Sequence, residues 1–405
     1  MTNVLFISWD PRDSWYLDGL FIPIFEGLLA HGISVRIIQV TWGPNSRNSG
    51  EDRSKGRNIE IYYVSLPEFA PRFLRVVLIP MAIWRSVRLG RALSIGLLLP
   101  RSIIPGIIAV FASRILRVPI LYDCDGFASD EAVEFRDRNP VGIVHRVFRD
   151  MEYVSLVAAS AVLVRSDFAV RAVVSRLGGA YNNRKRIYTV SNGRPELFFK
   201  PSSQNEVLGI RETLGLSKGA FAMVYSGSIG SQYRLDCVIK LFEFGLEKIP
   251  ELRLVIFTKD KSALNEYLAG SDQSVKSRVS ITSLSPNDVG LALRAMNAAV
   301  SFREPSFSMK CVAPIKVSEY LLSGLPLITN HSVGNFHAEF VHRVSTLDHM
   351  ALKTAAEWLE RLARTNSDVK KIENALLARS RFGLRKTVNQ YKSAIIYSAT
   401  SENDR

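Results

Sequence analysis

The chain has 405 residues, 47% hydrophobic and 22% charged, a composition that fits a folded protein and excludes a disordered or low-complexity one. Its length asks for two domains rather than one core, and its net charge of +14, with a pI near 9.7, favours acidic partners such as phosphates, nucleic acid or an anionic membrane. Three widely spaced cysteines, Cys124, Cys237 and Cys311, exclude a disulfide framework, contain no C-x-x-C pair and point to a reducing compartment.

The N-terminus, MTNVLFISWDPRD, has no basic start and too short an apolar run for a signal peptide. It reads instead as a first strand, VLFIS (4–8). The loop WDPRDSWYLD leads into a helix predicted from 19 to about 31, with Leu20, Ile24, Leu28 and Leu29 on its apolar face and Gly32 as its stop. SVRIIQV (34–40) and NIEIYYVSL (58–66) follow as strands. From Pro71 through Tyr122 there is no acidic residue, while arginines recur. Arg85, Arg88 and Arg91 are spaced to share one helix face, beside Phe73, Leu74, Leu78, Ile79, Ile83 and Trp84. A basic amphipathic helix of this kind is a membrane-surface element; the alternative is a core helix with a solvated arginine face. The apolar run 92–112 is interrupted by Pro100, Arg101 and Pro105, so it reads as a strand (95–99), a turn and a helix rather than a membrane span.

PILYD (119–123) and SAVLVRS (160–166) are the next strands. Between them Asp123, Asp125, Asp130 and Glu131 form an acidic cluster in a basic chain. Such carboxylates hold sugar hydroxyls, act as a base or bind a divalent ion; Ser129 or Asp130 equally suits a helix cap. YTVSNGRPELFFKPSS (188–203) has the composition of a linker. A second series of strands follows: FAMVYSG (221–227), LRLVIFT (252–258), SRVSITS (277–283), AAVSF (298–302) and LPLITN (325–330), with helices at 235–248 and 286–297. Strands alternating with helices imply two mostly parallel sheets, and such sheets bind ligands at the carboxyl ends of their strands.

The residues after each strand are therefore the candidates. Gly227, Ser228 and Gly230 make a small-residue turn whose amides can approach phosphate, with Arg234 placed to pair with a diphosphate. Pro314 suits the first turn of a helix that carries Lys316 and, one turn on, Glu319. The helix start and Lys316 would neutralise phosphate, and the Glu319 carboxylate can accept two hydrogen bonds from a ribose diol. An ordinary loop, a solvated lysine and a capping carboxylate are the bland alternatives. The sequence has no G-x-G-x-x-G, no Walker A pattern and no histidine pair at zinc spacing; His31 and His145 read as ordinary helix residues.

Taken together these stretches resemble glycosyltransferase family 4, of the two-domain GT-B fold and the bacterial polysaccharide-biosynthesis type, over nearly the whole chain. PRSIIPGIIA with YDCDGFASDEAV is similar to the family's first domain, LVRSDFAVRAVVSRLGG through IYTVSNGRPELFFKPSS to its approach to the linker with Asn192-Gly193, and VYSGSIGSQYRLD to the opening of its nucleotide domain. PIKVSEYLLSGLPLITN, similar to the pattern Pro-x-Lys-x-x-Glu-Tyr-Leu-x-x-Gly-x-Pro, is the most specific match. The chain departs from the family's E-x7-E motif, since Cys311 stands eight residues before Glu319 with Glu304 off register. Ser228 and Tyr233 stand where an Arg/Lys pair is usual, with Arg234 offset by one.

The resemblance implies two Rossmann-like doubly wound α/β domains facing a cleft: residues 1–195 on the acceptor side, 196–381 binding the nucleotide sugar, and 382–405 as a helix crossing back onto the first domain. It implies a retaining, metal-independent transferase with a nucleotide diphosphate sugar as co-substrate and no further cofactor. Asp125, Arg234 and Lys316 would be catalytic. Gly227, Ser228, Arg234, Lys316 and Glu319 would bind the donor, and Gly19, Asp123, Asp125 and Asn192 would line a sugar or acceptor pocket. The acceptor would be a glycan or a lipid-linked glycan at the cytoplasmic face of the membrane. A nucleotide-sugar epimerase or hydrolase on the same fold is the near rival. A non-catalytic nucleic-acid binder is the distant one, as the chain has no aromatic-and-basic binding motif or helix-turn-helix signal.

Overall fold

The computed structural model describes residues 2–11, 16–42, 59–66, 72–136, 138–181, 186–195, 203–331, 333, 340–365 and 368–400. Parts of the first loop, linker residues 196–202, the side chains of Phe73 and Leu74, and tail residues 401–405 lie outside them. The chain divides into two compact units. Unit 1 comprises Met1–Asn192, Ser306–Ala313 and Leu384–Arg405; unit 2 comprises Gly193–Pro305 and Pro314–Gly383. Where the sequence reading runs a second domain unbroken from 196 to 381, the contacts assign 306–313 to unit 1.

Unit 1 is built on β1 (Thr2–Trp9), β2 (Ile33–Thr41), β3 (Ile61–Ser65), β4 (Leu97–Pro100), β5 (Leu121–Asp123), β6 (Ala161–Val164) and β7 (Arg186–Thr189). The strands run parallel in the orders β3-β2-β1-β4 and β5-β6-β7, and parallel bridges Leu98↔Ile120 and Arg101↔Asp123 join the two sets. β4 and β6 are buried along their whole length, as strands covered on both faces must be. Because the order runs outward in both directions from β1 and β4, right-handed crossovers put helix Ile22–Leu29 on one face and helix Ile103–Leu116 on the other. The C-terminal helix Leu384–Thr400 joins the first face: a Cβ at Gly27 would stand 2.6 Å from Val388.

Segment Ser306–Ala313 is tied into unit 1 at several points. The backbone N–H groups of Phe307 and Ser308 donate to the Glu134 carboxylate at 3.0 and 3.1 Å. The Phe307 ring packs between Phe127 and Phe168, with centroids 5.4 and 5.7 Å away. The Ser166 hydroxyl donates to the Lys310 carbonyl at 2.8 Å, and the Asn192 amide to the Ala313 carbonyl at 2.7 Å. The amphipathic C-terminal stretch is not one helix. Helix Asp368–Phe382 stops at Gly383, where a Cβ would meet the Arg379 carbonyl oxygen at 2.5 Å, and a new helix begins at Leu384.

Unit 2 holds β8 (Phe221–Ser226), β9 (Leu252–Phe257), β10 (Val279–Thr282), β11 (Ala298–Ser301), β12 (Leu327–Thr329) and β13 (Val341–Arg343). All pairs are parallel and the order is β10-β9-β8-β11-β12-β13, the doubly wound arrangement whose direction reverses between β8 and β11. One face is covered by Leu235, Val238, Phe242 and Leu359, the other by Val317, Tyr320, Leu321 and Leu293. Pro314 precedes helix Ile315–Leu322 as its N-cap, one position before the first-turn place expected for it. Among the described residues no helix is long and apolar enough to cross a membrane.

Candidate functional site

At the reversal point of unit 2, β8 runs into Gly227, whose φ of +126° is left to glycine. A side chain there would also crowd Lys316, since a Cβ would stand 3.1 Å from its Nζ. Helix Ile315–Leu322 carries Lys316 in its first turn and lays the ammonium over the Tyr225 ring at 3.9 Å and near the Tyr233 ring at 4.9 Å. The Nζ is buried and has no hydrogen-bond partner among the described residues. Burial, and then the repulsion of Arg303, drive its pKa well below the ordinary lysine value, with Glu319 pulling the other way. Two aromatic faces return about 2 kcal/mol each when desolvated, against several for an uncompensated buried ammonium.

The surroundings add to the positive potential. Arg303 stands two residues past β11, and Asn330, at the end of β12, pins its backbone twice: the Arg303 N–H donates to Oδ1 at 3.0 Å and Nδ2 donates to the Arg303 carbonyl at 2.7 Å. His331 sits next along, its ring beside the Thr329 hydroxyl at 2.9 Å. Burial and the charges of Arg303, Lys316 and Arg343 push its pKa down to about 3, so the ring is neutral at physiological pH. Glu319 is buried and forms an ion pair with Arg194 at 2.9 Å. Burial raises its pKa despite Arg194. Arg234 takes a left-handed φ of 45° at the start of helix Leu235–Leu246, and its guanidinium is held by Asp236 at 2.8 Å and Glu304 at 3.0 Å. Its charge is thus already matched, while that of Lys316 is not. Ser228 is exposed, its carbonyl accepting from the Tyr225 hydroxyl at 2.7 Å.

The carboxyl end of the unit 1 sheet is also charged, but its charges cancel. Arg165, at the end of β6, donates to both carboxylate oxygens of Asp123 at 2.7 and 2.8 Å, and the Tyr391 hydroxyl donates to the same carboxylate at 2.9 Å. Arg165 also lies 3.2 Å from Asp125, which Arg101 pairs as well, and Arg101 reaches Asp10 at 3.7 Å. Burial works to raise Asp125, yet Arg101 and Arg165 outweigh it and hold the carboxyl below its usual range, which makes it a weak proton acceptor. Asp123 is wholly enclosed, and burial raises its pKa against the pull of Arg165.

The remaining candidates fall elsewhere in unit 1. Gly19 lies in the wide helical turn Leu17–Phe21, and Asn192 is engaged by Ala313. Ser129 and Asp130 do not cap helix Ala128–Phe135; Asp130 pairs with Arg176. Arg88 and Arg91 are exposed on helix Leu78–Ala92, whereas Arg85 turns inward over the Tyr62 ring at 5.6 Å, so the three do not share one solvated face. Cys124 and Cys311 are buried thiols whose pKa burial pushes up to about 12. Among the described residues no group of three or more His, Cys, Asp or Glu side chains is placed to hold a metal.

Sequence reasoning passed over Arg303, His331, Arg194, Arg165 and Arg101. Three of the arginines had a usable signal, since Arg101, Arg165 and Arg303 each stand within two residues of a strand's carboxyl end.

No protein-family model and no curated protein matches the chain. Solved structures do. HepE of Anabaena in complex with UDP and glucose is similar over 98% of this chain and 100% of its own, with a TM-score of 0.70 at 13% identity. WaaG, a glycosyltransferase involved in lipopolysaccharide biosynthesis, matches over 98% and 99% with a TM-score of 0.67 at 15% identity. Sucrose-phosphate synthase of Thermosynechococcus elongatus matches over 97% and 98% with a TM-score of 0.69 at 16% identity. At such identities the likeness is one of fold: the chain has the α/β architecture of the GT-B glycosyltransferases.

Proposed function

We propose that the chain is a glycosyltransferase of the family 4 kind that takes its sugar from a nucleotide diphosphate sugar. The observation that carries this reading is the buried, partnerless ammonium of Lys316 at the reversal point of unit 2, beside Gly227 and repelled by Arg303. A diphosphate is the group that completes it. Glycine at 227 lets the donor's oxygens approach the backbone amides of the turn. When the bond from the sugar's anomeric carbon to the diphosphate oxygen breaks, charge gathers on that oxygen, and Lys316 with the helix start stabilises it. Glu319, held in place by Arg194, faces the donor's ribose hydroxyls. The fold-mates support the substrate class, since HepE has been solved with UDP and glucose. The finer reading is a retaining transfer to a glycan or lipid-linked acceptor in cell-surface polysaccharide assembly.

A panel of nucleoside diphosphates and their sugars, beginning with UDP-glucose, tests the proposal by thermal shift, because a ligand that binds the native state raises its melting temperature. A shift in the wild type that is lost in Lys316→Met supports it; no shift with any nucleotide overturns it. A second reading keeps the site but changes the outcome: the fold also matches a UDP-N-acetylglucosamine 2-epimerase of Listeria monocytogenes described as putative, with a TM-score of 0.59 at 12% identity. Epimerised or hydrolysed sugar as the main product without acceptor selects that reading.

A further inference from the structure

In unit 1 three helices lie side by side: Leu78–Ala92, Ile103–Leu116 and Ile143–Ala158. Small residues let them approach. A Cβ at Gly90 would stand 2.4 Å from Leu116, and one at Gly106 would stand 2.5 Å from the Ser155 hydroxyl. Their inner faces are ordinary core; their outer faces are not. Among the described residues, ten of the twenty large apolar side chains left exposed lie on these three helices, and Val76, Val77 and Val141 lie just before two of them. Trp84 is 59% exposed and Ile143 76%, with Met81, Phe111, Val147 and Val154 also open to solvent. Scattered exposed hydrophobics are normal, but a concentration on one group of neighbouring helices marks an interaction surface.

Charge identifies the partner. The exposed charged residues of these helices are Arg88, Arg91, Arg114, Arg146 and Arg149, against one acid, Asp150. Two of the arginines lie over exposed aromatic rings, Arg88 over Trp84 at 5.4 Å and Arg114 over Phe111 at 5.9 Å. A second copy of the chain is a poor occupant. A two-fold interface would press the same five arginines against themselves. We propose that this three-helix face docks on an anionic lipid bilayer, lying in the interfacial plane with its apolar side chains in the headgroup boundary and its arginines on the lipid phosphates. The proposal adds helix Ile143–Ala158 to the surface and removes Arg85 from it. It stands apart from the donor reading, because binding is measured without substrate.

The full chain is co-sedimented with vesicles of phosphatidylcholine alone and of phosphatidylcholine mixed with phosphatidylglycerol. Recovery is expected with the mixed vesicles only, falling as salt shortens the screening length. Arg88→Gln with Arg91→Gln should weaken it by roughly fivefold per arginine. Ile143→Asp with Val147→Asp should abolish it while leaving the melting temperature of these surface variants unchanged. Tryptophan emission should shift to the blue on the mixed vesicles, and that shift should be missing in Trp84→Phe. Equal recovery with both lipids, or none with either, overturns the proposal. So does light scattering that reports a dimer dissolved by Ile143→Asp, which would assign the face to a second copy.

Discussion

The two sheets of this chain end in opposite electrostatic states. At the carboxyl end of the unit 1 sheet, Arg165 and Arg101 are matched by Asp123, Asp125 and Asp10, and Tyr391 supplies a further hydrogen bond. At the corresponding end in unit 2, Lys316 is buried without a partner, Arg303 repels it, and Glu319 is shared with Arg194. A charge network that closes on itself holds a structure together; one left open holds a place for an anion. On the proposed reading, the same architecture carries a closed charge network in one unit and a ligand site in the other.

The largest effect that would test this contrast is on the closed side. Asp123→Asn leaves Arg165 buried with a weaker partner, and urea denaturation should show a loss of about 3–5 kcal/mol. A loss below 1 kcal/mol would remove the distinction. On the open side, Lys316→Met should weaken nucleoside diphosphate binding by about 1.5–3 kcal/mol in calorimetry. The same change should leave folding stability equal or higher, because the desolvation cost it removes outweighs the two aromatic contacts it loses and no hydrogen bond is broken. Opposite stability responses to Asp123→Asn and Lys316→Met are the signature of the contrast.

A proton linkage sharpens it further. Burial and Arg303 hold the Lys316 pKa down in the free protein, and a bound diphosphate would raise it again. Binding should then take up protons, and affinity should fall as pH rises. Calorimetry in buffers of different ionisation enthalpy measures the uptake, which Lys316→Met should eliminate. The smallest effect is expected from Tyr391→Phe, which removes the hydrogen bond to Asp123 and the one accepted from Arg165 at 3.2 Å while keeping the ring, at about 1–2 kcal/mol.

Much of this was legible in the residues. The apolar runs of β1, β4, β8 and β9, the last broken only by Arg253, marked buried strands, and their alternation with helices gave two parallel sheets. Gly227 and Lys316 could be picked out because they follow a strand and open a helix. What could not be read was pairing. Asp123 and Arg165 are 42 positions apart, Asp123 and Tyr391 are 268 apart, and nothing local joins them. Without those partners Asp123 and Asp125 look like free carboxylates suited to chemistry. Likewise Arg234 looks like a free cation until Asp236 and Glu304 fold around it. Helix periodicity set Arg85 beside Arg88 and Arg91, but a turn of 3.6 residues leaves enough offset for Tyr62 to draw Arg85 inward.

The backbone passes from one unit to the other four times, at 192–193, 305–306, 313–314 and 383–384. Neither unit is thus a contiguous stretch of gene. A fragment ending near residue 195 would lack the segment Ser306–Ala313 seated by Glu134 and the tyrosine that completes the Asp123 pair. A single crossover at 192–193 would keep unit 2 whole but divide unit 1, so an exchange of halves would set helix Leu384–Thr400 of one parent against the unit 1 sheet of the other.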